Sequence, residues 1–255
     1  MLKQLSLREN DLRSEYPTLD DEFALEQAAR QVAEALGVGL CPRDRAFDRF
    51  LPDELQAVSC QHWTPLIVAK RAAAWFYELN IRTVADIGSG AGKFCVAAAL
   101  FGSCHLTGLE QRPQLVTAAR ALARLFKVED RVLFIQGTLG EVAHPIADAY
   151  YLFNPFGENL FSPIDQLDDG VELSSERYVR DIAVTEDLLR HAPVGTYVLT
   201  YNGFGGQVPS NYDEIRVARD LPEMLRMWRK TRSKQTPQDS SRLLTAKPTE
   251  PGSLT

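Results

Sequence analysis

The sequence predicts an α/β fold, with a doubly wound, mostly parallel seven-stranded sheet, an antiparallel last strand and an N-terminal helical extension. From Thr83 onward, short apolar strands alternate with helical segments, a pattern typical of βαβ units on a parallel sheet. The final two strand-like segments are only a few residues apart, which indicates an antiparallel pair. The length of 255 residues is enough for one sizeable domain with an extension and a tail.

The N-terminal part is predicted to be helical. Residues 19–36 carry apolar side chains at helical spacing, with acidic residues in the first turn and a glycine stop at Gly37. A loop follows, and a second helix is predicted over 64–79, with Thr64 as its cap and Pro65 in its first turn.

Hydrophobic periodicity places the remaining elements in alternation. Helices are predicted over 93–101, 113–126 and 176–190, and strands over 83–87, 105–110, 131–136, 149–154, 195–202, 212–220 and 225–231. After about Thr231 little remains that can be buried, so a disordered tail is expected. The sequence therefore predicts three parts of the chain. Residues 1–58 form a helical extension that covers the ligand site, residues 59–231 form the α/β domain that contains this site, and residues 232–255 form the tail.

Composition limits the classes of function. The formal net charge of −6 disfavours a protein that mainly binds a phosphate backbone, because such binding needs clustered Lys and Arg. One basic stretch, residues 215–234, is a local exception. This stretch is interpreted either as a solvated strand face or as a nucleic-acid contact. Its basic residues are Arg216, Arg219, Arg226, Arg229, Lys230, Arg232 and Lys234.

Targeting and metal signals are weak. The longest apolar run, residues 95–101, is too short to span a bilayer, and the N-terminus lacks an apolar signal region, so we expect a cytoplasmic protein without membrane association. The four cysteines are scattered without a C-x-x-C pair, and reduced thiols are the favoured interpretation. The four histidines show no ligand spacing, so no metal is predicted.

A glycine-rich turn carries the clearest functional signal. Residues 86–92 have the sequence Asp-Ile-Gly-Ser-Gly-Ala-Gly and lie between the first strand and a helix. Alternate glycines allow a tight turn whose N–H groups approach a ligand without an intervening Cβ. An anion at Asp86 is unfavourable beside a pyrophosphate but favourable beside a sulfonium and an ammonium group. The turn predicts S-adenosyl-L-methionine rather than a dinucleotide, bound by Asp86, Gly88, Ser89, Gly90 and Gly92.

Two further strand ends complete the predicted cofactor site. Glu110 and Gln111 end the second strand, where a carboxylate can accept hydrogen bonds from both ribose hydroxyls. Alone, Glu110 could be an exposed strand end, but the nearby glycine turn favours ribose binding. Gly137 and Thr138 follow the third strand, where an adenine edge would reach. A contact there and an ordinary turn both remain open.

These residues resemble the class I family of S-adenosylmethionine-dependent methyltransferases, over about residues 59–230. Residues 86–92 are close to the first motif of that family, and Glu110 matches its ribose-binding acid. The resemblance implies S-adenosyl-L-methionine as methyl donor and a seven-stranded sheet with an antiparallel last strand, in agreement with the predicted strand pair. Many members carry Asp or Asn after the third strand, where this chain has Gly137 and Thr138, so the resemblance assigns no adenine contact there.

The methyl acceptor is expected at the carboxyl ends of the strands, where the fourth strand runs into residues 154–157, Asn-Pro-Phe-Gly. The Asn154 carbonyl can accept a hydrogen bond from an amine and also face the cofactor, and Phe156 offers an aromatic face. The segment resembles the Asn-Pro-Pro-aromatic signature of amino-group methyltransferases, with one proline missing. Asn-Pro is also an ordinary turn, and both interpretations remain open.

Three more residues are candidates for the acceptor side. His62 and Trp63 precede a Thr-Pro pair that is similar to a segment closing over the cofactor in some adenine methyltransferases. His62 is a candidate base, and Trp63 and Tyr201 are candidates for substrate contact, together with Phe156. Tyr201 opens a glycine-containing stretch, 201–206, which is interpreted either as a mobile substrate-side loop or as a plain turn.

The predicted function is therefore methyl transfer from S-adenosyl-L-methionine to a small-molecule or protein acceptor, by preference at nitrogen, with Asn154, Phe156 and His62 as catalytic residues. S-adenosyl-L-homocysteine is the expected product. An RNA or DNA base methyltransferase, a non-catalytic module that binds S-adenosylmethionine and a nicotinamide-dependent oxidoreductase also remain open.

Overall fold

The computed structural model describes residues 19–231, so the first part of the predicted extension and the predicted tail lie outside the described residues. Its seven strands are β1 Thr83–Ile87, β2 His105–Glu110, β3 Val132–Gln136, β4 Ala149–Leu152, β5 Tyr197–Tyr201, β6 Tyr212–Ala218 and β7 Leu225–Lys230. They form one sheet in the order β3-β2-β1-β4-β5-β7-β6. β1 to β5 pair in parallel, and β7 lies antiparallel between β5 and β6. The predicted fold class is confirmed.

Helices cover both faces of this sheet. They are α1 Leu19–Gly37, α2 Asp44–Asp48, α3 Asp53–Ala57, α4 Ser59–His62, α5 Leu66–Glu78, α6 Lys93–Phe101, α7 Pro113–Leu125 and α8 Ser175–His191, with short 3₁₀ turns at Gly157–Leu160 and Pro163–Asp165. α5, α6 and α7 share a core with one face, and α8 packs on the other. Successive strand residues alternate between the two cores, as Val84 and Ala85 do in β1, because side chains in a strand point to opposite faces. Among residues 19–231, no helix is both long and apolar enough to cross a membrane.

The segment before α5 differs from the sequence prediction. The structure has three short helices, α2 to α4, where a loop was predicted, because four- or five-residue helices are too short to show a helical period. Thr64 does not cap α5; its hydroxyl lies 2.9 Å from the hydroxyl of Tyr151. The cap comes from α2, where Asp44 Oδ1 accepts a hydrogen bond of 2.8 Å from the N–H of Leu66. The helix starts at Leu66 and ends at Glu78, two residues later and one earlier than predicted.

A buried lysine fastens these short helices to the sheet domain. Lys93, the first residue of α6, has a side chain that is 2% exposed, and its Nζ lies 2.7 Å from carboxylate oxygens of both Asp44 and Asp48. The Ser59 hydroxyl donates to the second oxygen of Asp48 at 2.7 Å. Because Lys93 directly follows the glycine turn, the same side chain positions the turn and the helices that precede α5.

Replacing Lys93 with Met should lower the free energy of unfolding by about 3–5 kcal/mol, because the nearly buried Asp48 carboxylate loses its counter-charge. Urea denaturation followed by circular dichroism measures this. Lys127→Met, at an exposed lysine, is the matched control and should stay within about 0.5 kcal/mol of the parent. A Lys93→Met protein as stable as the control would contradict the assigned role.

Candidate functional site

A cavity of about 480 Å³ opens at the carboxyl ends of the parallel strands. Parallel α/β sheets bind their ligands at this edge. The predicted site residues that line it are His62, Trp63, Gly88, Gly90, Glu110, Gln111, Gly137, Thr138, Asn154, Phe156 and Tyr201. The remaining predicted cofactor residues, Asp86, Ser89 and Gly92, do not line the cavity. Their contact with a cofactor stays a prediction.

The glycine turn has the backbone that the sequence predicts. Gly88, Gly90 and Gly92 have φ values of +75°, +54° and +77°, in the left-handed region that favours glycine. The missing side chains also make room for the protein itself. A Cβ at Gly88 would lie 2.7 Å from Cβ of Pro155, and one at Gly90 would overlap the ring of Trp63. The turn is therefore closely covered by the segments that carry Asn154 and His62.

Glu110 connects the glycine turn to the end of β2. Its carboxylate is buried, with Oε2 accepting a hydrogen bond of 3.0 Å from the N–H of Gly90 and Oε1 accepting one of 2.8 Å from the N–H of Arg112. Burial raises the pKa of Glu110. An ionised carboxylate has about four lone-pair sites, so this one retains acceptor capacity for ligand hydroxyls in the cavity.

Asp86 faces away from the cavity. It is 3% exposed and accepts a hydrogen bond of 3.4 Å from Sγ of Cys95 in α6. Desolvation is the main reason that its pKa rises to about 7. Asp86 lies on the same face of β1 as Val84, the face covered by α5, α6 and α7, because the two residues are two positions apart in one strand. Of the two predicted carboxylates, Glu110 alone lies in the cavity wall.

Asp86→Asn should change how stability depends on pH. In the folded protein Asp86 holds a proton up to about pH 7, whereas the unfolded chain releases it near the ordinary value of 3.8. The contribution of protonated Asp86 to the stability of the folded protein is therefore present at low pH and is lost as the pH rises toward 7. Between about pH 4 and pH 7, the free energy of unfolding of the variant should rise relative to that of the parent by on the order of 1.4 kcal/mol for each pH unit.

Urea denaturation of both proteins at pH 4.5, 5.5 and 6.5 measures this difference. Asp187→Asn, at an exposed position of α8, controls for the loss of a surface charge. An Asp86→Asn difference that stays constant across the three pH values would contradict the raised pKa.

Asn154 is held in a strained turn at the end of β4. Its φ is +39°, and its N–H donates a hydrogen bond of 2.9 Å to the carbonyl of Gly203. The side-chain amide lies over Gly157, where an added Cβ would overlap it. A positive φ is uncommon for a residue other than glycine, although Asn tolerates it better than most, and such strain often marks a functional site. The structure brings Asn154 and the buried ring of Phe156 to the same cavity.

His62 and Trp63 reach the cavity from the end of α4. Trp63 Nε1 donates a hydrogen bond of 2.9 Å to the carbonyl of Leu55, which holds the ring over the glycine turn. The His62 ring meets the edge of Phe161 at a centroid distance of 6.1 Å. Burial is the largest cause that lowers the pKa of His62, so the imidazole is neutral at pH 7 and can accept a proton.

Tyr201, at the end of β5, contributes mainly its aromatic surface. Its hydroxyl accepts a hydrogen bond of 3.2 Å from the N–H of Glu223, and its ring lies 4.8 Å from that of Phe153 between centroids. Asn202 and Glu223 also line this end of the cavity. Tyr201 and His62 therefore add aromatic surface to a cavity whose wall also holds the polar side chains of Glu110 and Gln111.

Sequence reasoning missed two buried ionic groups in the cavity wall. The Arg112 guanidinium pairs with both oxygens of Glu158, at 2.9 and 3.0 Å, and with Asp168 at 3.0 Å. Arg177 pairs with Asp181 at 3.3 Å. The partners of Arg112 are more than forty residues away, so no local pattern indicates them. Among the described residues, no three His, Cys, Asp or Glu side chains are grouped to hold a metal ion.

Much of the basic stretch is internally paired. Arg216 forms an ion pair with Glu78, and Arg226 one of 2.9 Å with Glu214. Lys230 is buried and donates three hydrogen bonds of 2.7–3.0 Å to carbonyls at the end of α8, a site that favours a cation. The described part of this stretch therefore offers few unpaired cations to a phosphate backbone.

The sequence matches no family model, and no curated protein is significantly similar to it. Comparison of structures finds many matches. One is an O-methyltransferase from Bacillus cereus in complex with SAH, 13% identical, with 80% of this chain and all of that chain covered and a TM-score of 0.51. Another is a provisionally assigned O-methyltransferase from Klebsiella pneumoniae, 17% identical, with 82% and 100% covered and a TM-score of 0.50.

A further match is an RNA methyltransferase from Salinibacter ruber in complex with S-adenosyl-L-homocysteine, 22% identical, with 69% and 97% covered and a TM-score of 0.48. The fold likeness rests on the Bacillus and Klebsiella proteins, which are covered along their full length. The chain shares the Rossmann-like, seven-stranded fold of these methyltransferases.

Proposed function

We propose that this protein transfers a methyl group from S-adenosyl-L-methionine to a nitrogen atom of a small molecule or a protein side chain. The observation that carries the proposal is the position of Glu110, which holds the glycine turn through Gly90 and lines the same cavity as Asn154. One wall of the cavity therefore suits a nucleoside, and another suits an amine.

The cavity wall fits this cofactor in shape and in polarity. Gly88 and Gly90 expose backbone along the turn, and the buried Glu110 carboxylate can accept hydrogen bonds from two ribose hydroxyls. Apolar side chains line the adjoining surface, among them Leu109 and Leu139. When bound, S-adenosyl-L-methionine supplies an already activated methyl group, so the protein has mainly to position the acceptor.

Several other side chains in the cavity wall suit that task. The Asn154 carbonyl can accept a hydrogen bond from an acceptor amine and orient its lone pair. Neutral His62 can take the proton that the nitrogen loses. Trp63 and Phe156 are buried apolar parts of the cavity wall and would keep water from the bound acceptor.

The choice of acceptor class rests on charge. The net charge of −6 and the internally paired basic stretch favour a small molecule or a protein over a nucleic acid. Among residues 19–231, the exposed Arg219 gives the strongest support for a nucleic-acid acceptor. Such an acceptor would show binding that weakens steeply with salt. A cytoplasmic location stays a prediction.

Glu110→Gln should weaken the binding of S-adenosyl-L-homocysteine by about 10- to 100-fold, because charged hydrogen bonds to the ribose are lost. Isothermal titration calorimetry measures this, with Glu129→Gln, at an exposed glutamate, as the matched control. NAD should not bind the parent. Tight NAD binding without S-adenosyl-L-homocysteine binding would instead support an oxidoreductase.

Incubation with methyl-labelled S-adenosyl-L-methionine and a fractionated lysate, with and without nuclease, tests methyl transfer itself. Label should enter a small-molecule or protein fraction and resist nuclease. Asn154→Ala should slow this transfer by about 100-fold, because the acceptor is no longer aligned. Calorimetric titration with S-adenosyl-L-homocysteine and thermal unfolding of the variant separate this effect from a loss of cofactor binding or of folding at the positive φ of residue 154.

Nuclease-sensitive label would support a nucleic-acid acceptor. Absence of transfer despite cofactor binding would support the non-catalytic module. Equal rates for the parent and Asn154→Ala would remove Asn154 from the mechanism.

A further inference from the structure

A buried ion pair on α8 forms part of the cavity wall and has no role in the mechanism above. Asp181 is 3% exposed, and the side chain of its partner Arg177 is 13% exposed. Asp181 Oδ2 accepts a hydrogen bond of 3.3 Å from Arg177 Nη2, and both residues line the cavity. Asp181 Oδ1 accepts one of 3.2 Å from Nε of Arg180, a half-exposed side chain, which leaves further lone pairs of the carboxylate for a ligand. Burying two charges is costly, so their presence at a cavity surface calls for a compensating role.

This pair lies close to the ends of β2 and β3. Arg177 Nη2 donates a second hydrogen bond, of 3.0 Å, to Oε1 of Gln111, which directly follows the proposed ribose-binding Glu110. Further along α8, Val184 packs against Gly140 in the loop after β3. The pair therefore borders the space next to the proposed ribose site.

The loop after β3 offers little to recognise a base. Gly137 has no side chain, and Val142 fills the space where one would be. Leu139 is apolar, which leaves the Thr138 hydroxyl and the backbone. On the opposite side, Arg177 Nε is buried and has no hydrogen-bond partner among the described residues, so it is a donor left for a ligand.

We infer that Asp181 and Arg177 recognise the adenine base, an assignment that rests on the proposed function. The exocyclic amino group of adenine is a donor beside the N7 acceptor, and an acceptor–donor pair of side chains is complementary to that edge. The Asp181 carboxylate accepts from the amino group, and Nε of Arg177 donates to N7. The base is thereby read by α8, which follows β4, and not by the loop after β3.

Recognition of this kind makes a specific demand on the base. Deamination replaces the amino donor with a carbonyl acceptor, which the Asp181 carboxylate repels. The parent protein should therefore bind S-adenosyl-L-homocysteine about 10- to 100-fold more tightly than S-inosyl-L-homocysteine, its 6-oxo analogue. Asp181→Asn, whose amide can donate to a carbonyl, should reduce this ratio to about threefold or less, and a merely structural aspartate would leave the ratio unchanged.

Calorimetric titration of both nucleosides into the full chain and its variants provides the test. Asp187→Asn, at an exposed position on the same helix, is the matched control and should keep the parent's ratio. Thermal unfolding checks that each variant is folded. Arg177→Met should weaken binding of both nucleosides, because both bases keep the N7 acceptor.

The outcomes separate this inference from the proposed function. If the parent binds both nucleosides equally, or if Asp181→Asn keeps the parent's preference, the base is not read by Asp181 and the inference is overturned. Neither result affects the proposed cofactor. If the parent binds neither nucleoside, the proposed function fails as well. The parent comparison needs no variant, so it holds even if Asp181→Asn does not fold.

Discussion

A buried carboxylate holds the glycine turn against the end of β2. Glu110 accepts hydrogen bonds from the N–H groups of Gly90 and Arg112, and an unpaired charge at this depth would be strongly destabilising. These contacts fix the backbone of the turn relative to the neighbouring strand, and they leave acceptor sites open toward the cavity. Gly88 and Gly90 line the same cavity, so under the proposed function the orientation of the Glu110 side chain sets where a nucleoside lies.

The remaining walls are fastened to the same turn by different means. Trp63 covers Gly90, and Pro155 packs on Gly88, so the segments that carry His62 and Asn154 are in contact with the turn through its glycines. Lys93 holds the short helices from the other side of the turn. Packing of this kind transmits small shifts because protein interiors are dense. Changes in the N-terminal helices are therefore expected to reach the cofactor side of the cavity.

The sheet could be predicted from the sequence because its strands are apolar and end at glycines or polar residues, as at Gly88 and Glu110. The direction of Asp86 was also available from strand alternation, but the sequence interpretation relied on its charge instead. Contacts between distant parts of the chain could not be predicted. Asp181 in particular has the pattern of an ordinary helix-surface charge, and its burial depends on how α8 packs beside the end of β2.

The most direct test of the central claim is a crystal structure of the full chain with S-adenosyl-L-homocysteine. The account predicts the nucleoside in the cavity at the carboxyl ends of the strands, with both ribose hydroxyls within hydrogen-bond distance of the Glu110 carboxylate. A nucleoside bound outside this cavity, or ribose hydroxyls that do not contact Glu110, would contradict it.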